Sequence, residues 1–196
     1  MQTGAVEWRA LADGVFFRRY EPWDVNVGVV IGAAGLLLID TRANVEEGAE
    51  LRAHVAELDP RPPRWIVNTH AHFDHVGGNS CFPEAAVIAA TGATVDLGDR
   101  SLEVRHVGRG HTGDDVVVIV PGVVFAGDLV EESGPPQYDE LSHPHEWPDT
   151  NRRLLELVGE HDLVVPGHGA VVDRRFVAHQ LEELERIASE TSGSAG

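Results

Sequence analysis

The chain is poor in cysteine, in clustered positive charge and in long apolar stretches, and each scarcity closes off a class of protein. Cys81 is the only cysteine, so no intrachain disulfide can staple the fold. Lys and Arg number 15 against 32 Asp and Glu, for a formal net charge of −17, and the basic residues form no block. Phosphate backbones and anionic membrane surfaces are held by clustered cations, so neither nucleic acid nor a membrane is an expected partner. No apolar run approaches the roughly 20 residues of a membrane span. Residues 1–10 have neither the basic start nor the apolar stretch of an export signal, which makes the cytoplasm the expected location.

What is present is an ordinary globular composition, 42% hydrophobic and 24% charged over 196 residues, enough for one domain with a substantial core. A single domain is expected over residues 6–189, followed by a flexible tail at 190–196. Short β-type runs lie at 15–20, 25–31 and 36–39, with a glycine-bounded turn at 32–35 between the last two. Val45, Ala49, Leu51, Val55 and Leu58 recur at helical spacing, so 45–58 reads as an amphipathic helix that Pro60 ends. Further strands are expected at 65–68, 86–89, 102–106, 116–120, 123–126 and 163–165. Helices are expected at 148–158, with Pro148 in its first turn, and at 174–189. The polar stretch 131–147, with Pro135, Pro136 and Pro144, reads as a long loop. Strands followed by helices, twice over, indicate a layered α/β arrangement.

Four candidate metal ligands, His70, His72, Asp74 and His75, fall within six residues after the apolar run 65–67. In extended backbone, side chains two apart share a face, about 7 Å along the chain at roughly 3.3 Å per residue. His70 and His72 can therefore converge on one ion. Asp74 and His75 follow at a shift of phase and can point at a neighbouring one. Three more candidates sit beside glycines at strand ends: His111 between Gly110 and Gly113, Asp128 after Gly127, and His168 between Gly167 and Gly169. Glycine permits close backbone approach, and loops at strand ends are where sites are commonly built.

An HxHxDH stretch, a His in a Gly-His-Thr turn, an Asp after Ala-Gly and a His in Pro-Gly-His-Gly, in that order from His70 to His168, resemble the metallo-β-lactamase-fold superfamily. The resemblance covers nearly the whole chain. It implies a four-layer αββα sandwich, two mixed β-sheets face to face with helices outside and metals at one edge. Carried over position by position, one ion takes His70, His72 and His111, the other takes Asp74, His75 and His168, and Asp128 bridges both. Imidazoles with a few carboxylates suit two Zn²⁺, and the same donors tolerate Fe²⁺ or Mn²⁺. Two ions about 3.5–4 Å apart can share a water and make it a hydroxide nucleophile near neutral pH. Asp74 is then expected to orient that nucleophile and relay its proton. Asp40 matches a recurrent acid of the family and is expected to orient a ligand rather than to be one.

The implied activity is metal-dependent hydrolysis of an ester, thioester, lactone or similar acyl bond of a small molecule. Asp128 bears on the branch: glyoxalase II-like and lactonase-like members keep this carboxylate, and true β-lactamases generally lack it. About 28 residues follow His168, short for the glutathione-binding region of glyoxalase II, and 129–134 lacks the Tyr of the lactonase type. Three alternatives stand beside this reading. One is an Fe(II) persulfide dioxygenase using His70, His111 and Asp128 alone. Another is a β-lactamase-like amide hydrolase. The third is a non-catalytic metal-binding regulatory relative, which predicts a lost ligand where none is lost. Outside the seven ligands, His54, His161 and His179 read as ordinary residues and Cys81 as packing. His106 reads as surface or pocket-lining, His143 and His145 as part of a loop near the site or a small metal site of their own, and Trp23, Tyr138 and Trp147 as pocket wall or core.

Overall fold

Alternation along the strands sorts the apolar side chains into three layers, and those layers define the fold. The computed structural model describes residues 7–88 and 92–193; Val6, Ala89 and residues 194–196, which figure in the expected boundaries, lie outside them. Strands β1 (Arg9–Ala12), β2 (Val15–Tyr20), β3 (Val25–Gly32) and β4 (Gly35–Ile39) pair antiparallel in succession. Strands β5 (Trp65–Val67) and β6 (Ala86–Val87) extend this half in parallel. In the second half β7 (Ala93–Asp96), β8 (Ser101–His106), β9 (Val116–Val120) and β10 (Val123–Glu131) run antiparallel. Strand β11 (Leu163–His168) then pairs parallel with β10, and β12 (Val172–Asp173) antiparallel with β11.

Because successive strand residues point to opposite faces, each half has an inner and an outer apolar surface. Val30, Leu37, Ile39 and Val67 of the first half meet Val104, Val116, Val118, Val123, Phe125 and Val165 of the second in one buried cluster. This is the layer between the sheets. Their neighbours face outward: Val29, Leu36, Leu38 and Ile66 pack under Leu51 and Val55 of α1 (Val45–Leu58). Val117, Val124 and Val164 pack under Leu154 of α3 (Trp147–Leu157) and under Val177 and Leu184 of α4 (Arg174–Gly193). Each of these fully buried aliphatic side chains contributes roughly 1.5–3 kcal/mol. The result is the αββα sandwich, with both sheets mixed as expected.

The two sheets are not wholly separate. One residue pair, His168 with Val25, joins β11 to β3, so hydrogen bonding links all twelve strands, nine of them in one continuous order from β6 to β7. The join lies at the edge that carries the histidines. Several boundaries also differ from the sequence reading. Strand β10 continues to Glu131 and β11 to His168, so Asp128 and His168 lie within strands rather than just past them. The expected loop 131–147 thereby loses Glu131 to β10 and Trp147 to α3. Helix α4 runs to Gly193, beyond the expected end at 189. Strands β1, β7 and β12 and the one-turn helix α2 (Phe73–Val76) were not anticipated. Among the described residues no helix is long and apolar enough to cross a membrane.

Candidate metal centre

The centre is organised from Asp40 outward. This residue follows β4 with φ 63°, a backbone region sparsely used by residues other than glycine. Its carboxylate is buried and accepts from the Thr69 amide at 2.7 Å, the Thr69 hydroxyl at 2.8 Å and His75 Nδ1–H at 2.8 Å. The Thr69 hydroxyl in turn lies 3.2 Å from His70 Nδ1. One carboxylate thus fixes both ends of the histidine loop. Asp40 contacts the histidine loop from behind, and it is not among the converging donors.

The loop reaches its geometry by a different route from the extended one expected. His70 and His72 precede α2 in irregular backbone, and the helical turn of α2 swings Asp74 and His75 inward. The convergence nevertheless occurs: His72 Nδ1 lies 3.0 Å from His70 Nε2 and 2.9 Å from His111 Nε2. Beside this trio, His168 Nε2 lies 3.4 Å from His75 Nε2 and 3.3 Å from Asp74 Oδ2. Asp128 stands between the two groups. Its Oδ2 is 3.3 Å from His111 Nε2 and 3.4 Å from His168 Nε2, while Oδ1 is 3.2 Å from His75 Nε2.

Asp128 owes its position to two glycines. Strand β10 shifts register at Gly127, whose φ is 53° and where a Cβ would stand 2.6 Å from Thr69 Cβ; such bulges re-aim the following side chain. At Gly167 on β11, a Cβ would stand 1.8 Å from Asp128 Oδ1. Only hydrogen leaves that space to the carboxylate.

These residues fit divalent ions. Imidazole nitrogens 2.9–3.4 Å apart oppose lone pair to lone pair unless a proton or cation lies between them. Asp128 Oδ1 is buried with no hydrogen-bond donor, a costly state for a carboxylate. The distal imidazole nitrogens are meanwhile engaged: His111 Nδ1–H donates to the Gln137 carbonyl at 3.1 Å and His168 Nδ1–H to the Trp23 carbonyl at 2.8 Å. His72 Nε2 differs: it stands 2.9 Å from Asp139 Oδ2 without making a hydrogen bond. Partners of this kind fix the tautomer of a ligating histidine. They leave Nε2 of His70, His75, His111 and His168, and Nδ1 of His72, facing inward.

The electrostatics carry the same demand for positive charge. Burial opposes ionisation of Asp128, yet His75 and His70 beside it hold its carboxyl well below the usual range. Burial likewise opposes a charged His75, but Asp128 and Asp40 raise it well above an ordinary imidazole. His168 is pushed up to about 11, with burial outweighed by Asp128 and Asp74. His70 falls well below, chiefly through burial. Left to protons alone, the site must hold cationic imidazoles beside buried carboxylates. Divalent ions meet the same need and release those nitrogens as ligands.

One member of the cluster escaped the sequence reading. Glu131 is buried, and a carboxylate oxygen of it groups with Asp128 and His168 with all three donor atoms within 4.8 Å of one another. Burial and then Asp128 push its carboxyl up to about 8. Glu131 stands opposite His168 across the ladder, a placement for which the uniformly buried run of β10 gives no period-two signal.

The remaining residues singled out fall elsewhere. His106 holds the turn behind His111, its Nε2 3.0 Å from the Gly113 carbonyl and its Nδ1 accepting from the Gly108 amide. The His143 amide bonds the Gly110 carbonyl, and His145 is exposed. His54 lies between Arg18 and Tyr20, and His179 is exposed beside Glu182. Cys81 packs against the Val45 carbonyl. Trp147 is fully buried, behind His111 and Tyr138. Trp23, Phe73 and Tyr138 wall a cleft of about 540 Å³ that opens over the centre. Removing the Asp40 acceptor tests the scaffold: Asp40→Asn is expected to weaken metal binding roughly 10–100-fold, measured by chelator competition. An unchanged affinity would show that His75 is oriented without it.

Residues 20–97 match the profile of the Metallo-beta-lactamase superfamily. A mouse protein, "Metallo-beta-lactamase domain-containing protein 1", is 33% identical over 80% of this chain and 67% of its own length. The human "Acyl-coenzyme A thioesterase MBLAC2" is 27% identical over 98% of this chain and 90% of its own. Among solved structures, a metallo-β-lactamase from Pontibacter korlensis superposes with a TM-score of 0.81 at 25% identity, covering 92% of this chain and 99% of that one. With its sandwich, its histidine loop and the acids at its edge, this chain belongs to the metallo-β-lactamase superfamily.

Proposed function

We propose that the protein is a binuclear, zinc-dependent hydrolase that cleaves an ester, thioester, lactone or related acyl bond of a small molecule. The observation that carries this reading is Asp128, buried between the two donor groups, with Oδ2 near His111 and His168 and Oδ1 near His75. His70, His72 and His111 would hold one ion. Asp74, His75 and His168 would hold the other, Asp128 would be shared, and Glu131 adds a carboxylate on the His168 side. Such ions supply a water acidified toward neutral pH and a Lewis acid for the acyl oxygen.

The chain's own groups do the rest. Trp23 and Phe73, with ring centroids 5.0 Å apart, and Tyr138 receive the apolar part of the substrate. Asp74 lines the cleft and is held below the ordinary carboxylate range, where burial is outweighed by His168 and His75. Its carboxylate is the acceptor that orients the attacking water, takes its proton and returns it to the leaving group. Asp40 keeps His75 from rotating, and no serine or cysteine nucleophile is needed.

The thioesterase named above resembles this chain along nearly its whole length, which supports acyl hydrolysis. The β-lactamase neighbour supports the fold and the same general chemistry. Elemental analysis followed by a panel of acyl substrates tests the proposal. About two zinc per chain is expected, with hydrolysis lost on chelation and restored by Zn²⁺. Full activity in both His72→Ala and His168→Ala would sink it. One iron per chain, with oxygen consumed against a persulfide and every ester untouched, would replace it with the dioxygenase.

A further inference from the structure

The cleft over the centre has no fixed positive side chain. The chain contains no lysine at all, and its 15 basic residues are all arginine. None of them lines the cleft. Arg19 is bound to Asp24, Arg109 to Glu146 at 2.6 Å and Arg186 to Glu190 at 2.9 Å. The walls are instead aromatic and acidic. Trp23 is 45% exposed, Phe73 55% and Tyr138 36%. Asp74, Asp128, Glu131 and Asp139 line the same space, with Gln137 and Ser133 as neutral hydrogen-bonding groups.

Bound ions do not reverse this balance. Two divalent cations would bring four positive charges to a cleft lined by four carboxyl groups, Asp74, Asp128, Glu131 and Asp139, with Asp40 behind His75 as a fifth. An anion entering such a cleft sheds its water with no arginine or lysine on the walls to receive it, inside a chain of net charge −17. An uncharged aryl or alkyl group meets aromatic faces, and a cationic one also gains the ring quadrupoles and the acids.

We infer that the cleft selects by charge: its acyl substrate is uncharged or cationic, and compounds with a carboxylate or phosphate near the scissile bond are refused. This rests on the hydrolase reading and narrows it away from β-lactams and coenzyme A thioesters, which are anionic.

The test compares three nitrophenyl esters of similar size on the zinc-loaded protein: butyrate, hemisuccinate and 4-(trimethylammonio)butyrate. The expected kcat/KM for the neutral and cationic esters exceeds that for the anionic one by about tenfold or more at low salt, and the gap narrows as salt screens it. Gln137→Arg, at an exposed side chain on the wall, is expected to raise the anionic-to-neutral ratio about tenfold. Calorimetric binding of the matching phenyl amides reads the same selectivity without turnover. Equal affinity for charged and uncharged amides, or a gap that salt leaves untouched, overturns the inference. Selective amide binding with no ester cleaved overturns the hydrolase reading alone.

Discussion

Asp128→Asn is expected to strip the protein of most of its bound metal and to lower kcat/KM by at least about 1,000-fold. The shape of the side chain is kept, so the packing of β10 survives and the loss is one of charge. Asp128 is the one acid that touches both donor groups, His111 at 3.3 Å on one side and His75 at 3.2 Å on the other. The amide removes a negative charge from a buried point surrounded by imidazoles. It also replaces a carboxylate oxygen by an NH₂ group, which donates to the inward imidazole nitrogens and has no lone pair to offer a cation. Lewis-acid catalysis is worth several kcal/mol, and each 1.36 kcal/mol is a factor of ten. Metal content by elemental analysis and kcat/KM on the best ester are the two readouts. Retention of two metals per chain would mean that the clusters hold their ions separately.

Gly167→Ala is expected to act nearly as strongly without touching a ligand. The added methyl would stand 1.8 Å from Asp128 Oδ1 and 3.0 Å from the Asp128 amide nitrogen. Neither position is tolerable, so the carboxylate or β11 must move by more than an ångström. A displacement of about 1 Å in a reacting constellation can cost on the order of 100-fold, and overpacking a filled interior costs about 1–3 kcal/mol. Metal affinity by chelator competition should fall at least about tenfold, and stability by that amount in denaturant titration. Wild-type affinity in a folded Gly167→Ala protein would show that Asp128 does not depend on the space beside β11.

Both variants rest on residues that the sequence pointed to, and the reasons are specific. The seven candidate donors were legible because their motifs come in a fixed order, with two histidines and an acid beside glycines at strand ends. Helix α1 was legible to the residue, from the apolar spacing through Leu51 and Val55 and the stop at Pro60; the structure adds an Asn44 cap, whose side chain accepts from the Glu47 amide at 3.0 Å. Strand β10 was cut short because all nine of its residues are buried, so it shows no period-two contrast, and Gly127 looked like a turn. That glycine answers to the nearness of Thr69 instead. Glu131 went unseen for the same reason, as an acid assigned to a loop that is in fact a strand buried on both faces. The cleft walls were beyond reach, because Trp23, Phe73 and Tyr138 come from three separate segments whose meeting is tertiary.

The single ladder contact between Val25 and His168 has a thermodynamic meaning of its own. Asp40 and the 70–75 loop hang from the first sheet, and His111, Asp128, Glu131 and His168 from the second. At this rim the strand ladders join the halves at one residue pair, flanked by the Val116 amide on the Thr69 carbonyl and the Gly169 amide on the Asp24 carbonyl, and the donors reach across the seam. Ions bound there would fasten the seam as a clasp, present only when both halves have docked. Ligation and folding then become linked equilibria: at free metal 1,000-fold above its dissociation constant, linkage adds about 4.1 kcal/mol to stability. The stability of the sandwich becomes a property of the surrounding metal as much as of the polypeptide.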